Sequence, residues 1–345
     1  MIGYPLVRSF LFALDAERAH DLTLPSLSAA HSLGLSRLAC SRPPDLPVSC
    51  FGLDFPNPVG LAAGLDKNGA HAEALAALGF GFVEVGTVTP KPQPGNPKPR
   101  MFRLTQHQAL INRLGFNNDG VDQLLKNLES QSLPCPLGIN IGKNKDTANE
   151  SAHEDYLICL RKVYARADYV TVNISSPNTQ GLRDLQAAEP LNRLLGTLLD
   201  ERESLASQHG QSKPILLKVA PDLDQAGVDV IARVVETCAV DGVIATNTTI
   251  GRSGVESHCL AKEPGGLSGA PLTELALTTQ RLLRTALPTD MPIVGVGGIV
   301  KGDHAADKIS AGATLVQIYT GFIYRGPNLI AECVESIRKS IALDA

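Results

Sequence analysis

Seven consecutive residues, Asn173-Ile174-Ser175-Ser176-Pro177-Asn178-Thr179, bring two carboxamides and two serine hydroxyls close together along the chain. Each carboxamide offers a donor and an acceptor, the complement of the N–H and C=O edge of a cyclic imide or ureide. A serine between them could serve as a base. The same letters also spell an ordinary Ser/Pro/Asn turn, so the stretch by itself leaves both readings open. Lys67 and Lys218 lie in apolar surroundings. One such lysine can snorkel to the surface, whereas two that converge would serve an anion or the electron-rich positions of a ring. A third signal is Gly295-Val296-Gly297-Gly298-Ile299, followed later by Tyr319-Thr320-Gly321. Glycine lets backbone N–H groups come close to a phosphate, and a helix start behind it favours the negative charge.

These residues act together only if the fold gathers them. From residue 57 onward, short apolar runs rich in β-branched residues recur at 58–63, 80–88, 137–141, 169–174, 215–219, 242–246, 293–297 and 315–319, with room for a crossover helix between them. Continuous runs of this kind are expected of parallel strands covered on both faces, and eight in series predict an α/β fold, the (β/α)8 TIM barrel. Barrel active sites collect at the C-terminal ends of the strands. Here those ends carry Ala63-Gly64-Leu65-Asp66-Lys67, Thr87, Asn140, Asn173, Lys218, Thr246-Asn247-Thr248, Gly297-Gly298 and Tyr319-Thr320. A mouth of Asn, Thr and Lys, almost free of acids, suits a neutral heterocycle and an anionic group and does not suit a divalent metal. It offers no acidic pair and no Ser–His–Asp order, so hydrolysis has little support. The glycines fall on the seventh and eighth strands, where such barrels bind phosphate; a Rossmann site would come early in the repeat and be followed by an acidic ribose partner.

Residues 68–78 form a strong helix pattern stopped by Gly79, and 224–238 has apolar residues at helical spacing. Longer irregular inserts at 89–100 and 251–269 each follow a strand, where barrel enzymes carry substrate loops. Residues 1–40 stand outside the repeat as a small helical extension: Leu6, Val7, Phe10, Leu11 and Leu14 share one helical face behind Pro5, and Asp15 is placed to cap a second helix. A proline-rich stretch at 42–47 leads into the barrel domain, 41–345. The first twenty residues, broken by Arg8 and closed by Asp15, Glu17 and Arg18, read neither as a signal peptide nor as a membrane span.

With 345 residues, 43% hydrophobic and 19% charged, the chain can bury a large core, and a net charge of −4 argues against a general nucleic-acid binder. Seven cysteines, odd in number and never in a Cys-x-x-Cys arrangement, disfavour a disulfide framework and a zinc site and fit a reducing cytosol.

Five longer motifs in order, Ala-Ala-Gly-Leu-Asp-Lys-Asn-Gly (62–69), Gly-Phe-Val-Glu-Val-Gly-Thr-Val-Thr-Pro-Lys-Pro-Gln-Pro-Gly-Asn-Pro (81–97), Ile-Asn-Arg-Leu-Gly-Phe-Asn-Asn (111–118), Val-Asn-Ile-Ser-Ser-Pro-Asn-Thr (172–179) and Gly-Gly-Leu-Ser-Gly (265–269), resemble the dihydroorotate dehydrogenase family. The resemblance runs from near the N-terminus to the end of the chain. It implies one FMN per chain over the barrel mouth, with Ala63, Gly64, Thr87, Asn140, Asn173, Lys218, Thr246, Ser268, Gly269, Gly297, Gly298, Tyr319 and Thr320 as flavin contacts. It also implies a dihydroorotate and orotate pocket of Lys67, Asn112, Arg113, Leu114, Gly115, Phe116, Asn173, Asn178, Asn247 and Thr248. The implied activity is oxidation of (S)-dihydroorotate to orotate in de novo pyrimidine biosynthesis.

The soluble class of that family has a cysteine where this chain has Ser176, and it lacks the N-terminal helices. Ser176 and the helices together resemble class 2, which passes electrons to a membrane quinone. That likeness implies a quinone co-substrate, a tunnel near His20 and Arg103, and an extension that associates peripherally with the cytoplasmic face of the inner membrane. In the mechanism it implies, Ser176 removes a proton from C5 of dihydroorotate while C6 delivers a hydride to the flavin. Thr179 and Phe116 match the proton route, Lys67 the partner of the substrate carboxylate, and Lys218 the stabiliser of negative charge on the reduced flavin. Two alternatives stay open: an FMN barrel enzyme acting on another pyrimidine or dienone, and a catalytically silent barrel whose amphipathic N-terminus binds membranes.

Overall fold

Each of the eight apolar runs is a strand in the computed structural model, which describes residues 3–35 and 41–344. The expected domain boundary at residue 40 and Cys40 lie outside the described residues. In chain order the strands are β1 (Val48–Cys50), β2 (Leu53–Phe55), β3 (Val59–Leu61), β4 (Phe82–Val88), β5 (Met101–Leu104), β6 (Ala109–Asn112) and β7 (Leu137–Ile141), then β8 (Tyr169–Asn173), β9 (Ile215–Val219), β10 (Gly242–Ala245), β11 (Gly266–Gly269), β12 (Ile293–Val296) and β13 (Leu315–Ile318). β3, β4, β7, β8, β9, β10, β12 and β13 pair in parallel and close on themselves, so the predicted (β/α)8 barrel is observed. Around it lie helices that include Ala152–Val163, Ala188–His209, Gln225–Cys238 and Thr273–Ala286.

The barrel interior is filled by large side chains opposite glycines. Phe82 and Tyr169 occupy the space that a Cβ at Gly60 and at Gly138 would need, at 2.3 Å and 2.1 Å respectively. The antiparallel hairpin β1–β2, absent from the sequence reading, adds Phe55 against Phe82 with ring centroids 5.3 Å apart. Its strands are three residues long, too short for an alternating pattern to declare itself.

Two local expectations need correction. The 68–78 helix shrinks to Ala72–Ala76, because the Asp66 carboxylate takes the amides of Ala70 at 3.0 Å and His71 at 2.7 Å and holds the preceding residues in a turn. The insert 251–269 is not irregular throughout. Its last four residues form β11, which pairs antiparallel with β6, itself paired with β5, in a separate three-stranded sheet. β6 and β11 meet across more than 150 positions of chain, a pairing no local pattern encodes.

The extension forms α1 (Gly3–Ala13) and α2 (Ala16–Ser32), with Asp15 capping α2 through the amides of Glu17 and Arg18. α1 is held to the barrel by Tyr4, whose hydroxyl donates to Ile323 O at 2.5 Å, by Arg8 on Tyr324 O at 3.0 Å, and by Phe12 edge-on to Tyr324. The apolar stripe of α1 lies on its open side: Leu6, Val7 and Phe10 are 70%, 51% and 62% exposed.

Candidate active site

The strand ends β3, β4, β8, β9, β10, β12 and β13 and the β6–β11 sheet enclose one cavity at the C-terminal mouth of the barrel. Its far wall is the turn after β12. Gly297 and Gly298 both have positive φ, and a Cβ on Gly298 would come within 2.2 Å of Thr273 Cα, so only glycine lets the turn lie against the helix Thr273–Ala286. Thr273 fastens it by donating its hydroxyl to Gly298 O at 2.8 Å. Among the described residues, the amides of Gly297, Gly298, Thr320 and Gly321 donate to no backbone carbonyl. The Thr320 hydroxyl donates to Ser268 Oγ at 2.8 Å. Free amides, two hydroxyls and a cradle that a Cβ would fill are the donor set of a phosphate site.

The opposite wall is a ring of amides. Asn173 donates Nδ2 to Thr87 Oγ1 at 2.9 Å, and its Oδ1 takes the amide and the hydroxyl of Ser175 at 3.2 and 3.0 Å. Asn247 donates to Ser175 Oγ at 2.9 Å, and Asn178 donates to Asn112 Oδ1 at 3.1 Å. Ser176 is buried beside them and accepts the Asn178 amide at 3.2 Å. Arg183 pins two of these loops at once, donating to Ser175 O at 3.0 Å and to Thr248 O at 2.8 Å. Asn96 bridges two others through Arg113 O at 3.0 Å and Asn178 O at 3.2 Å.

Both lysines reach this cavity. Lys218 is buried at the end of β9, and desolvation lowers its pKa while the charge of Glu84 opposes the shift. Lys67 is lowered from 10.5 to about 8, first by desolvation and further by the nearby Arg100 charge, with Glu17 acting in the opposite direction. Neither forms an ion pair among the described residues, so two lysine side chains stand ready for electron-rich or anionic groups of a ligand. A flat heterocycle bearing a phosphate fits this arrangement: donors at one end, a buried lysine and carboxamides along its edge.

All the residues expected at the flavin and pyrimidine sites line this one cavity, with two differences. Asn140 lies one layer beneath, fully buried, and receives the Thr87 hydroxyl on Oδ1 at 2.5 Å. The Arg113 side chain turns away to Glu263 at 2.7 Å and stacks over Phe102 at 4.6 Å. The sequence reading missed Asn96, Arg183, Gln317 and Glu84. The last is an acid in the middle of a fully buried strand, which was the available signal.

A second, mainly apolar cavity of about 670 Å³ lies under α1 and α2, lined by residues such as Val7, Phe10, Leu11, Leu24 and Phe322. His20 and Arg103 both border it. Burial and the charge of Lys67 bring the His20 pKa down to about 3, which leaves the imidazole neutral. Arg103 closes the C-terminal end of α1 by donating to Leu11 O at 3.1 Å and to Leu14 O, and it stacks over Phe12 at 4.7 Å. Tyr319 belongs to the walls of both cavities; its hydroxyl, raised to about 12 by burial, donates to Gly64 O at 3.4 Å.

Comparison with known proteins bears on this geometry. The family model described as dihydroorotate dehydrogenase matches residues 45–341. A Flavobacterium lutescens protein named dihydroorotate dehydrogenase (quinone) is 60% identical over 337 residues, 97% of this chain and 96% of that one. A protein of the same name from Xanthomonas campestris pv. campestris (strain B100) is 59% identical over the same shares. Among solved structures, Eimeria tenella DHODH in complex with ferulenol superposes with a TM-score of 0.85 at 37% identity, covering 95% of this chain and 92% of that one. Its ligand-free form gives 0.82 at 38% identity, covering 93% and 96%.

Proposed function

This chain belongs to the dihydroorotate dehydrogenase family, and from that premise we propose how its two cavities divide the reaction. It is an oxidoreductase that converts dihydroorotate to orotate in pyrimidine biosynthesis and gives the electrons to a quinone. The division of labour rests on one observation: Tyr319 borders both the polar mouth and the apolar cavity under the helical extension. A redox group held beside that residue would be within reach of a polar substrate in one cavity and an apolar one in the other.

FMN is the group we assign to the mouth. Gly297, Gly298, Thr320 and Ser268 would hold its phosphate, with Ala63, Gly64, Thr87, Asn173, Lys218, Thr246 and Gly269 along the ring and Asn140 supporting Thr87 from below. Once bound, it would supply the two-electron chemistry that links dihydroorotate to quinone. The chain's own residues do the rest. Lys67 pairs with the substrate carboxylate, and Asn112, Asn173, Asn178 and Asn247 meet the donors and acceptors of the pyrimidine edge. Leu114, Gly115 and Phe116 close the pocket, Thr248 contributes its hydroxyl, and Arg113 braces the turn from outside through Glu263. Ser176 Oγ, held in place by the Asn178 amide, takes the proton from C5. Thr179 and Phe116, both buried, are the residues we assign to the route by which that proton leaves. Lys218 stabilises the negative charge that accumulates during reduction.

Residues 1–40 form the quinone entrance, with His20 and Arg103 at the cavity wall, and residues 41–345 the catalytic barrel. Exposed Leu6, Val7, Phe10, Leu22 and Leu33 support peripheral seating on a membrane, which we assign to the cytoplasmic face of the inner membrane. No helix among the described residues is long and apolar enough to cross one. The test is anaerobic rapid mixing of the purified protein. It should carry a flavin spectrum, bleach on addition of dihydroorotate and regain its colour with quinone. A colourless protein, or one that dihydroorotate leaves yellow, would overturn the site assignment.

A further inference from the structure

Glu84 points its carboxylate into the barrel beneath the amide ring, with no exposed surface. An ionised carboxylate can only accept hydrogen bonds. Glu84 accepts three: from Asn140 Nδ2 at 2.8 Å, from Gln317 Nε2 at 2.8 Å and from the Tyr169 hydroxyl at 3.1 Å. Because the Asn140 NH2 is committed downward, its Oδ1 faces up and takes the Thr87 proton at 2.5 Å. Thr87 Oγ1 is then left with lone pairs only and accepts Asn173 Nδ2 at 2.9 Å. Asn173 in turn offers Oδ1 to Ser175 and to Asn247 Nδ2, the latter at 3.4 Å, while Asn247 keeps Oδ1 for the Thr248 amide at 2.8 Å. Gln317 is committed the same way, and its buried Oε1 has no partner among the described residues although the residue lines the mouth. Every intermediate link, amide or hydroxyl, can donate or accept; Glu84 alone cannot be reversed.

We propose that Glu84 is a positioning residue that sets the donor–acceptor polarity of the pyrimidine-binding amides through the chain Asn140, Thr87, Asn173. It touches no reacting atom. Its charge decides which way each amide faces, and so which edge of a heterocycle the pocket accepts. The inference rests on the reading of Asn173 and Asn247 as pyrimidine contacts.

Glu84→Gln preserves shape but lets Asn140 turn over, which leaves the Thr87 proton between two NH2 groups. Orotate affinity, measured by calorimetry on the purified holoprotein, should fall roughly tenfold, with KM for dihydroorotate rising and the limiting rate of reduction nearly unchanged. Moving the carboxylate one link up, in Glu84→Gln/Asn140→Asp, restores an acceptor-only group beneath Thr87 and should return orotate affinity to within about threefold of wild type. Tyr169→Phe removes a donor to Glu84 that lies outside the chain; it should lower thermal stability and leave orotate affinity within about twofold. The proposal is overturned by wild-type affinity in Glu84→Gln, by a double variant that binds weakly or does not fold, or by equal losses in Tyr169→Phe and Glu84→Gln. If Glu84→Gln alone does not fold, the double variant decides the matter. A wild-type protein that binds no orotate would instead remove the pocket reading itself.

Discussion

Arg100 grips Glu17 across 83 positions of chain, with Nη2 2.7 Å from Oε1 and Nε 3.2 Å from both carboxylate oxygens. The same guanidinium donates to Pro94 O at 2.6 Å and Asn96 O at 2.9 Å, so one side chain joins α2 to the loop that Asn96 ties to the pyrimidine pocket. Burial pushes the Glu17 pKa up, but its contacts with Arg100 and Lys98 outweigh this and hold it below the ordinary 4.5. An acid with a depressed folded pKa contributes stability above its unfolded value and loses it as pH falls through the folded one. Glu17→Gln should therefore cost about 3 kcal/mol at pH 7, read from urea unfolding, because it leaves Arg100 buried without its anion. The gap between variant and wild type should narrow as the pH falls below 4.5.

Lys67 ties pH to substrate capture. With a pKa of about 8, it loses its charge as the pH rises through that value, and the anionic substrate loses its partner. The dihydroorotate dissociation constant should climb by about tenfold per pH unit above that point, while the limiting rate of reduction changes little. Glu17 opposes the downward shift of Lys67, so Glu17→Gln should move the rise to lower pH. A flat profile up to pH 10 in the wild type would exclude Lys67 as the carboxylate partner.

Ser176→Ala should fold, keep its FMN and bind orotate, yet slow flavin reduction by about 10²–10⁴-fold, the usual contribution of a general base. Ser176→Cys should retain more activity than the alanine variant. Stopped-flow reduction at the wild-type rate in Ser176→Ala would assign the proton transfer elsewhere.

Gly298→Ala tests the phosphate cradle. A methyl group there would meet Thr273 Cα at 2.2 Å from a backbone with φ of +77°, so the turn must open. The expected result is a folded barrel with a flavin-to-protein ratio well below that of wild type. Full flavin content would move the phosphate away from this turn.

Phe10→Glu places a charge on the exposed stripe of α1 at the edge of the apolar cavity, and Leu14→Glu places one at the half-buried residue that follows that helix. Both should weaken the quinone half-reaction and sedimentation with liposomes while sparing reduction by dihydroorotate; removal of the first 40 or so residues should do so more completely. Equal losses in the two half-reactions, measured separately on folded protein, would exclude the tunnel.

The barrel was legible in the sequence because a strand buried on both faces must be apolar along its whole length, and runs such as Ile215–Val219 and Leu137–Ile141 declare that locally. The mouth was legible for a related reason: a polar residue at or next to the end of such a run, like Asn173 and Lys218, stands where the barrel opens. What no run of residues could state is which surfaces meet. Only the tertiary structure joined β11 to β6, turned Arg113 out to Glu263, and placed Asn140 beneath Thr87. It also decided how α1 is held, because Tyr4, Arg8 and Phe12 find partners on the barrel while Leu6, Val7 and Phe10 stay exposed. Local pattern follows from burial, which each residue's own chemistry decides; partnership depends on geometry between distant segments, and the bonding of Glu84 to three other strands is of that second kind.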